Sequence, residues 1–185
     1  MRSAWLALGV VGIAVASAAI SGDVPLTPRI VHEPGFTVVG ISTRTNNAKE
    51  MSDEGVIGKQ WERWMKDALL DRIPSKADTN TLAVYTDYES DRNGEYTFLI
   101  GARVSSAAKI PAGMVTVKIP AGRFAVFTSE KGFVGKVVPE IWTRIWAIPK
   151  SEPGGDRSYR ADYELYDQRA ADPQNAQVDI YVGIK

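Results

Sequence analysis

The feature that most constrains this chain is the order of its predicted elements, which is the same in its two halves. In the first half, a β-branched segment at residues 36–44 predicts a strand. Apolar residues then recur at helical spacing over residues 53–73. Two more predicted strands follow at residues 81–89 and 95–104, and the Asn-Gly pair between them is a strong signal for a tight hairpin turn. The first half therefore reads as a strand–helix–strand–strand unit.

The second half repeats this order. Residues 114–128 predict a strand that bends at its Pro-Ala-Gly segment. Residues 133–148 predict a helix, whose regular part is expected to start near Pro139 because proline is tolerated in a first helical turn. Residues 157–168 and 177–184 predict the last two strands. The repeated order predicts an α+β fold made of duplicated units, and ligands often bind in the groove between such halves.

The composition excludes several kinds of chemistry. The chain has no Cys and a single His, which excludes disulfide frameworks, Cys nucleophiles, Cys-ligated metal sites and most multi-His metal sites. We interpret His32 as a solvated residue, and we expect no metal and no cofactor. The 22 basic and 22 acidic residues cancel, so net charge offers no support for a nucleic-acid partner. Any site chemistry must therefore come from carboxylates and phenols.

The first residues have the pattern of a targeting segment. One basic residue is followed by an apolar run and an Ala-Ser-Ala sequence, the arrangement of a cleaved secretory signal peptide. We therefore predict a signal peptide at residues 1–18, a Pro-containing leader at residues 19–33 and a domain at residues 34–185, with halves at about 34–106 and 112–185. The protein is then exported from a bacterium, as a periplasmic or secreted protein. The alternative is that this segment is not cleaved and anchors the protein in a membrane.

Four segments together resemble the GyrI-like family, also described as the AraC-type effector-binding domain family. They are IPAGRFAVF at residues 119–127, WTRIW at 142–146, DYELYD at 162–167 and DIYV at 179–182. The resemblance covers residues 34–185 and implies two strand–helix–strand–strand units, which form an antiparallel sheet with two main helices and a central cleft. It also implies the binding of small, often cationic or lipophilic compounds. Other members of the family include a gyrase inhibitor and enzymes that open cyclopropanoid rings.

Two positions depart from the family pattern, and one position matches its binding site. Phe124 stands where Tyr is common, so one hydroxyl is missing, and Gly183 stands where Pro is usual. The resemblance places the family's cleft carboxylate on Glu164. Such a carboxylate among aromatic rings selects cations, because its charge pairs with the ligand and the ring faces add cation–π attraction.

The strand that carries Glu164 predicts the neighbours of this carboxylate. Side chains alternate along a strand, so Glu164 and Tyr166 share one face. In the last strand, Ile180 belongs to an apolar face that we expect to pack under the helices, and Tyr181 points the other way. We therefore expect Glu164, Tyr166 and Tyr181 to lie together on the second face. The alternative is that Glu164 is solvated on an open face of the sheet.

Aromatic residues elsewhere are expected to form the walls of the cleft. Trp142 and Trp146 are four residues apart on the second predicted helix, so they share a helix face. Trp61 and Trp64 form a similar pair on the first helix. The expected wall of the first half consists of four aromatic residues from its strands: Tyr85, Tyr88, Tyr96 and Phe98. For all of these residues the alternative is ordinary core packing.

These observations predict a small-molecule-binding protein. We expect it to hold a lipophilic or cationic compound in an aromatic cleft, with Glu164 as a carboxylate anchor and without catalysis. The alternative is a hydrolase of electrophilic, cyclopropanoid-like molecules, in which Glu164 acts with Tyr166 or Tyr181. A second alternative is a protein-interaction module at the cell envelope.

Overall fold

A computed structural model describes residues 26–185 of the chain. Within this range lie the strands β1 (Arg29–Glu33), β2 (Phe36–Thr45), β3 (Thr81–Thr86), β4 (Tyr96–Val104), β5 (Val115–Ile119), β6 (Gly122–Thr128), β7 (Arg157–Tyr166) and β8 (Asp179–Ile184). The α-helices in the same range are α1 (Asn47–Glu50), α2 (Ile57–Lys66), α3 (Leu69–Arg72) and α4 (Val134–Trp146), and a 3-10 turn follows β7 at Gln168–Ala170. The predicted signal peptide lies outside the described residues. Among residues 26–185, no helix is long and apolar enough to cross a membrane.

The eight strands in this range form one antiparallel sheet, and the chain connections require that sheet to curl. The strand order is β1-β6-β8-β7-β3-β4-β2-β5. β1 and β2 are thus six positions apart, which corresponds to about 29 Å in a flat sheet. Only Pro34 and Gly35 connect these strands, and so short a connection spans at most about 11 Å. The two ends of the sheet therefore approach each other, and a Cβ atom on Gly35 would lie 2.8 Å from the backbone nitrogen of Ala121.

The helices cover one face of the sheet. Trp61 and Trp64 of α2 pack against β2 and β4, while Ile141 of α4 packs against β6 and β8. Each of these two clusters is a buried apolar core. They meet at Tyr85 and Tyr166, which contact both clusters. Residues from the two halves of the chain are therefore in contact beneath the helices.

The opposite face is also buried, because the sheet curls around it. It carries a third cluster of buried residues, made up of Val38, Leu82, Val84, Leu99, Ile119, Phe124, Ala161 and Tyr163. Side chains therefore pack on both faces of the sheet. The alternative that Glu164 is solvated on an open face does not hold, because neither face is open to solvent.

The predicted α+β class with an antiparallel sheet is confirmed. The strand–helix–strand–strand order appears as β2–α2–β3–β4 and as β6–α4–β7–β8, while the duplication of one ancestral unit stays a prediction. The sequence pattern did not indicate β1, which lies in the predicted leader and pairs with β6 over a long distance along the chain. His32 is an exposed residue of this strand.

The predicted helices differ in their bounds from the observed ones. The helix predicted at residues 53–73 is divided into α2, which begins at Ile57, and α3, which follows Ala68 in a left-handed conformation with φ 47°. The expected start of the regular second helix near Pro139 was wrong, because α4 begins at Val134. Pro139 cannot donate a helical hydrogen bond. The burial of Val134 and Val137 in the first turn offsets that loss.

The contact between β2 and β4 leaves no room for a side chain at Gly40. Gly40 is directly opposite Gly101, and a Cβ atom on Gly40 would lie 2.0 Å from the carbonyl oxygen of Ile100. We expect Gly40→Ala to lower the free energy of unfolding by about 2 kcal/mol, measured by urea denaturation. The matched control is Gly122→Ala, because a Cβ atom on Gly122 meets no atom within 4 Å. Equal stability of the two variants would contradict this account.

Candidate functional site

The pairing of β7 with β8 decides which face of the sheet Glu164 occupies. Glu164 is opposite Ile180, and Tyr163 is opposite Tyr181. Directly opposite residues of an antiparallel pair share a face, and Ile180 packs under α4. Glu164 therefore lies on the helix-covered face. Phe124 contacts Tyr163 and lies on the other face, so its missing hydroxyl is remote from Glu164.

The expected grouping of Glu164 with Tyr181 was wrong. Tyr181 stacks on Tyr163 in the third cluster, with ring centroids 4.4 Å apart. Glu164 and Tyr166 do share a face, but it is the face under the helices. The error came from placing Ile180 and Glu164 on opposite faces, although the register pairs them directly.

The Glu164 carboxylate is buried and accepts three hydrogen bonds. Its residue is 2% exposed. The Tyr85 hydroxyl and Trp142 Nε1 each donate to Oε1 at 2.7 Å. The Tyr166 hydroxyl donates to Oε2 at 2.6 Å. Donors from β3, α4 and β7 therefore converge on one carboxylate.

The fold accounts for the positions of these donors. Tyr85 of β3 is directly opposite Asp162 of β7, so it is a diagonal neighbour of Glu164 and its long side chain reaches that carboxylate. α4 crosses the same face and points Trp142 inward, next to the buried Ile141. The position of Tyr166 follows from the alternation of side chains along β7.

Aromatic rings surround this carboxylate. Tyr85 is central among them, with the ring centroids of Phe98, Trp142 and Tyr96 at 5.2, 5.4 and 5.5 Å. Trp61 of α2 lies edge-on to Tyr166 at 4.9 Å. We call the following residues the aromatic cage: Trp61, Tyr85, Tyr88, Tyr96, Phe98, Trp142, Trp146, Glu164 and Tyr166.

The structure thus brings together all of the sequence-predicted site residues except Tyr181. Tyr96 and Phe98 are buried in the core. Tyr88 is half-buried, with its ring centroid 5.7 Å from that of Tyr96. Trp146 is also half-buried, with its ring centroid 6.1 Å from that of Trp142. These rings pack against the residues that donate to Glu164 or against one another, and their contact with a ligand stays a prediction.

The surroundings of Glu164 disfavour its charged form. Burial raises the pKa of Glu164 above its ordinary value of 4.5, and the three donated hydrogen bonds oppose this rise without cancelling it. Burial, together with the charge of Glu164, raises the pKa of Tyr85 and of Tyr166 well above the ordinary tyrosine range, so both hydroxyls stay protonated donors. Within residues 26–185, no Lys or Arg forms an ion pair with Glu164. The same range contains no group of three side chains suited to hold a metal ion.

A second buried carboxylate, which the sequence pattern did not single out, lies two residues before Glu164. Asp162 is fully buried and forms an ion pair with Arg157. It also accepts hydrogen bonds from the Tyr88 hydroxyl at 2.6 Å and from the backbone N–H of Gly183 at 2.8 Å. A proline at position 183 has no N–H to donate, which explains why proline is absent there. A Cβ atom at this position would lie 2.6 Å from the carbonyl oxygen of Ala161, which explains the glycine. The available signal was the alternation of Asp162 with Glu164 along one strand.

A comparison with known families agrees with this architecture. The family model described as "Cass2: Integron-associated effector binding protein" matches residues 29–184. The chain belongs to this family. The match begins at β1, so it includes the strand that the sequence pattern did not indicate. It also agrees with the resemblance to GyrI-like effector-binding proteins.

Two bacterial proteins show sequence similarity to this member of the Cass2 family. YobU of Bacillus subtilis is 40% identical over 147 residues, which cover 79% of this chain and 90% of YobU. The transcriptional regulator BrlR of Pseudomonas aeruginosa is 32% identical over 158 residues, which cover 84% of this chain. This chain spans 54% of the length of BrlR.

Two solved structures show the same fold. The integron cassette protein VCH_CASS2 from the mobile metagenome of Vibrio cholerae is 27% identical, with a TM-score of 0.67, and the match covers 86% of this chain and 96% of that protein. SAV2435, solved bound to tetraphenylphosphonium, is 18% identical, with a TM-score of 0.70, and the match covers 85% of this chain and 93% of SAV2435. Because SAV2435 is only 18% identical, its likeness to this chain concerns the fold alone.

The raised pKa of Glu164 links the stability of the protein to pH. Because this pKa is higher in the folded than in the unfolded chain, the folded chain holds the proton more tightly. The resulting stabilisation is fully present below the unfolded pKa and is lost as pH rises through the folded pKa. We therefore expect wild type to lose stability relative to Glu164→Gln over that interval, measured by urea denaturation at a series of pH values. A difference in stability that does not change with pH would contradict the raised pKa.

Proposed function

We propose that this protein binds a lipophilic organic cation in the aromatic cage and that Glu164 is the charge anchor. One observation carries the proposal: a buried carboxylate has three neutral hydrogen-bond donors and, within residues 26–185, no ion-pair partner. A cation is the chemical group that complements such a carboxylate.

The neutral donors satisfy the oxygens of Glu164 but leave its charge uncompensated. An ionised carboxylate in a buried site costs on the order of several kcal/mol unless an opposite charge compensates it. A cation in the cage offsets this cost, because Coulomb attraction is stronger where water is excluded. The faces of the Tyr and Trp rings add about 0.5–2 kcal/mol each. Affinity is then highest when Glu164 is deprotonated.

The walls of the cage favour a lipophilic cation over a strongly hydrated one. A compact ammonium loses much of its hydration when it enters a site lined by rings. A cation whose charge is shielded by apolar groups loses less hydration and also buries apolar area against the rings. Trp61 and Trp142 supply large apolar surfaces from the two helices.

Ligand entry requires side chains of the cage to move, because Glu164 is almost inaccessible to solvent. Trp146 and Tyr88 are half-buried rings that pack against the buried rings of Trp142 and Tyr96, and we place the entrance between them. Changes in side-chain rotamers on binding are common even where the backbone moves little. We therefore expect entry through changes in side-chain rotamers, without rearrangement of the sheet.

The comparisons support this class of function. The family is described as effector binding, and SAV2435 has been solved with tetraphenylphosphonium bound. In that ion the positive charge is shielded by four phenyl groups, which is the chemistry that the cage would take. Tetraphenylphosphonium is a ligand of SAV2435, and we use it only as a probe for this protein.

The geometry favours binding over the hydrolase alternative. Hydrolysis requires Glu164 to polarise a water with the help of Tyr166 or Tyr181. Tyr181 lies on the other face of the sheet, and the Tyr166 hydroxyl is already engaged with Glu164. The raised pKa of Tyr166 also makes its hydroxyl a poor proton donor. Export through the segment at residues 1–18 and a role as an envelope interaction module stay proposals that rest on the sequence.

A tryptophan-fluorescence titration with tetraphenylphosphonium tests the proposal, because Trp61, Trp142 and Trp146 belong to the cage. We expect Glu164→Gln, which keeps the side-chain shape and removes the charge, to weaken binding by at least about tenfold, or about 1.4 kcal/mol. The matched control is Glu62→Gln, which removes an exposed carboxylate from α2 and should leave the affinity unchanged.

Circular dichroism shows whether each variant is folded before it is titrated. Equal affinity of wild type and Glu164→Gln would contradict the role of Glu164 as the anchor. A wild-type protein that does not bind tetraphenylphosphonium would contradict the proposed class of ligand.

A further inference from the structure

Arg157 is buried beside the aromatic cage, and part of its hydrogen-bonding capacity is unused. Its side chain is 6% exposed, and its Nη2 pairs with the Asp162 carboxylate. Its Nε and Nη1 have no hydrogen-bond partner within residues 26–185. Nearly all buried polar groups in proteins are hydrogen-bonded, so two unpaired donors on one buried guanidinium require an explanation.

The backbone leaves regular pairing at this point of β7. The register between β7 and β8 shifts between Arg157 and Asp162, and Tyr159 in this irregular segment has a φ of 52°, which is rare for an aromatic residue. Bulges and strained residues are common beside binding sites, where they redirect side chains. Here the Arg157 guanidinium lies over the Tyr159 ring, with its Cζ 4.5 Å from the ring centroid. The contact holds the guanidinium in place and gives Nε and Nη1 no oxygen acceptor.

Trp142 connects this guanidinium with Glu164. Its Nε1 donates to Glu164, and the centroid of its ring lies 5.7 Å from the Arg157 Cζ. Tyr88 makes a second connection, because its hydroxyl donates to Asp162 while its ring belongs to the cage. A ligand that lies against Trp142 is therefore close to both the anchor and the unused donors.

We propose that Arg157 is a second recognition point, whose Nε and Nη1 donate to a carbonyl oxygen of the bound cation. This inference rests on the proposed function, because it places the acceptor on the same ligand that Glu164 anchors. The acceptor is neutral, because Asp162 already balances the charge of Arg157 and an added anion would lie near two carboxylates. The ligand class is then a lipophilic cation that also carries an ester, amide or ketone.

Two phosphonium probes isolate this contact: an n-alkyltriphenylphosphonium ion and its methyl-ester analogue of equal chain length. They carry the same cation and differ in one carbonyl-bearing group. We expect wild type to bind the ester at least about tenfold more tightly in a tryptophan-fluorescence titration. We expect Arg157→Lys to remove this preference, because Lys keeps an ion pair with Asp162 but lacks the planar fork of donors.

The outcomes separate this inference from the proposed function. Equal affinity of the two probes for wild type, or a preference for the ester that persists in Arg157→Lys, overturns the inference and leaves the proposed function intact. If Arg157→Lys does not fold, Arg157→Met combined with Asp162→Asn removes both charges together and leaves no donor at position 157, and a preference that persists in that variant overturns the inference equally. If neither probe binds wild type, the proposed function has failed and the inference fails with it.

Discussion

The carboxylate of Glu164 accepts hydrogen bonds from Tyr85, Trp142 and Tyr166, and the arrangement beneath the helices depends on these bonds. A buried carboxylate without donors is costly, so each donor must be held in position. Tyr85 comes from the first half of the chain, while Trp142 comes from α4 in the second half. The hydrogen bonds to Glu164 therefore connect the two helix-covered clusters at the point where they meet.

Two carboxylates on one strand have opposite electrostatic settings. Asp162 is paired with Arg157, whereas Glu164 has only neutral donors among the described residues. The negative charge of Asp162 is compensated by Arg157. The negative charge of Glu164, when ionised, is enclosed by aromatic rings. The neutral net charge of the whole chain conceals this difference, because charges that cancel in number do not cancel at a buried position.

Local patterns predicted most of the strands, and they predicted that Glu164 and Tyr166 share a face, because alternation along a strand is a local property. They did not predict that Tyr181 lies on the other face. Register is set by pairing between distant segments, and a shift of one residue turns every side chain to the opposite face. The pairing of Arg157 with Asp162 was missed for a related reason, because it depends on the irregular register between these two residues. β1 was missed because its partner, β6, is far away along the chain.

In the proposed function, Glu164 is a buried carboxylate that has no ion-pair partner among residues 26–185 until a cation binds. The most direct test is a pH titration of the Glu164 side-chain carboxyl by 13C NMR, without and with saturating tetraphenylphosphonium. We expect a pKa above the ordinary glutamate value in the free protein, and a lower pKa in the complex, because a nearby cation favours the charged form. An ordinary pKa in the free protein, or the same pKa with and without the bound cation, would contradict the role of Glu164 as the charge anchor.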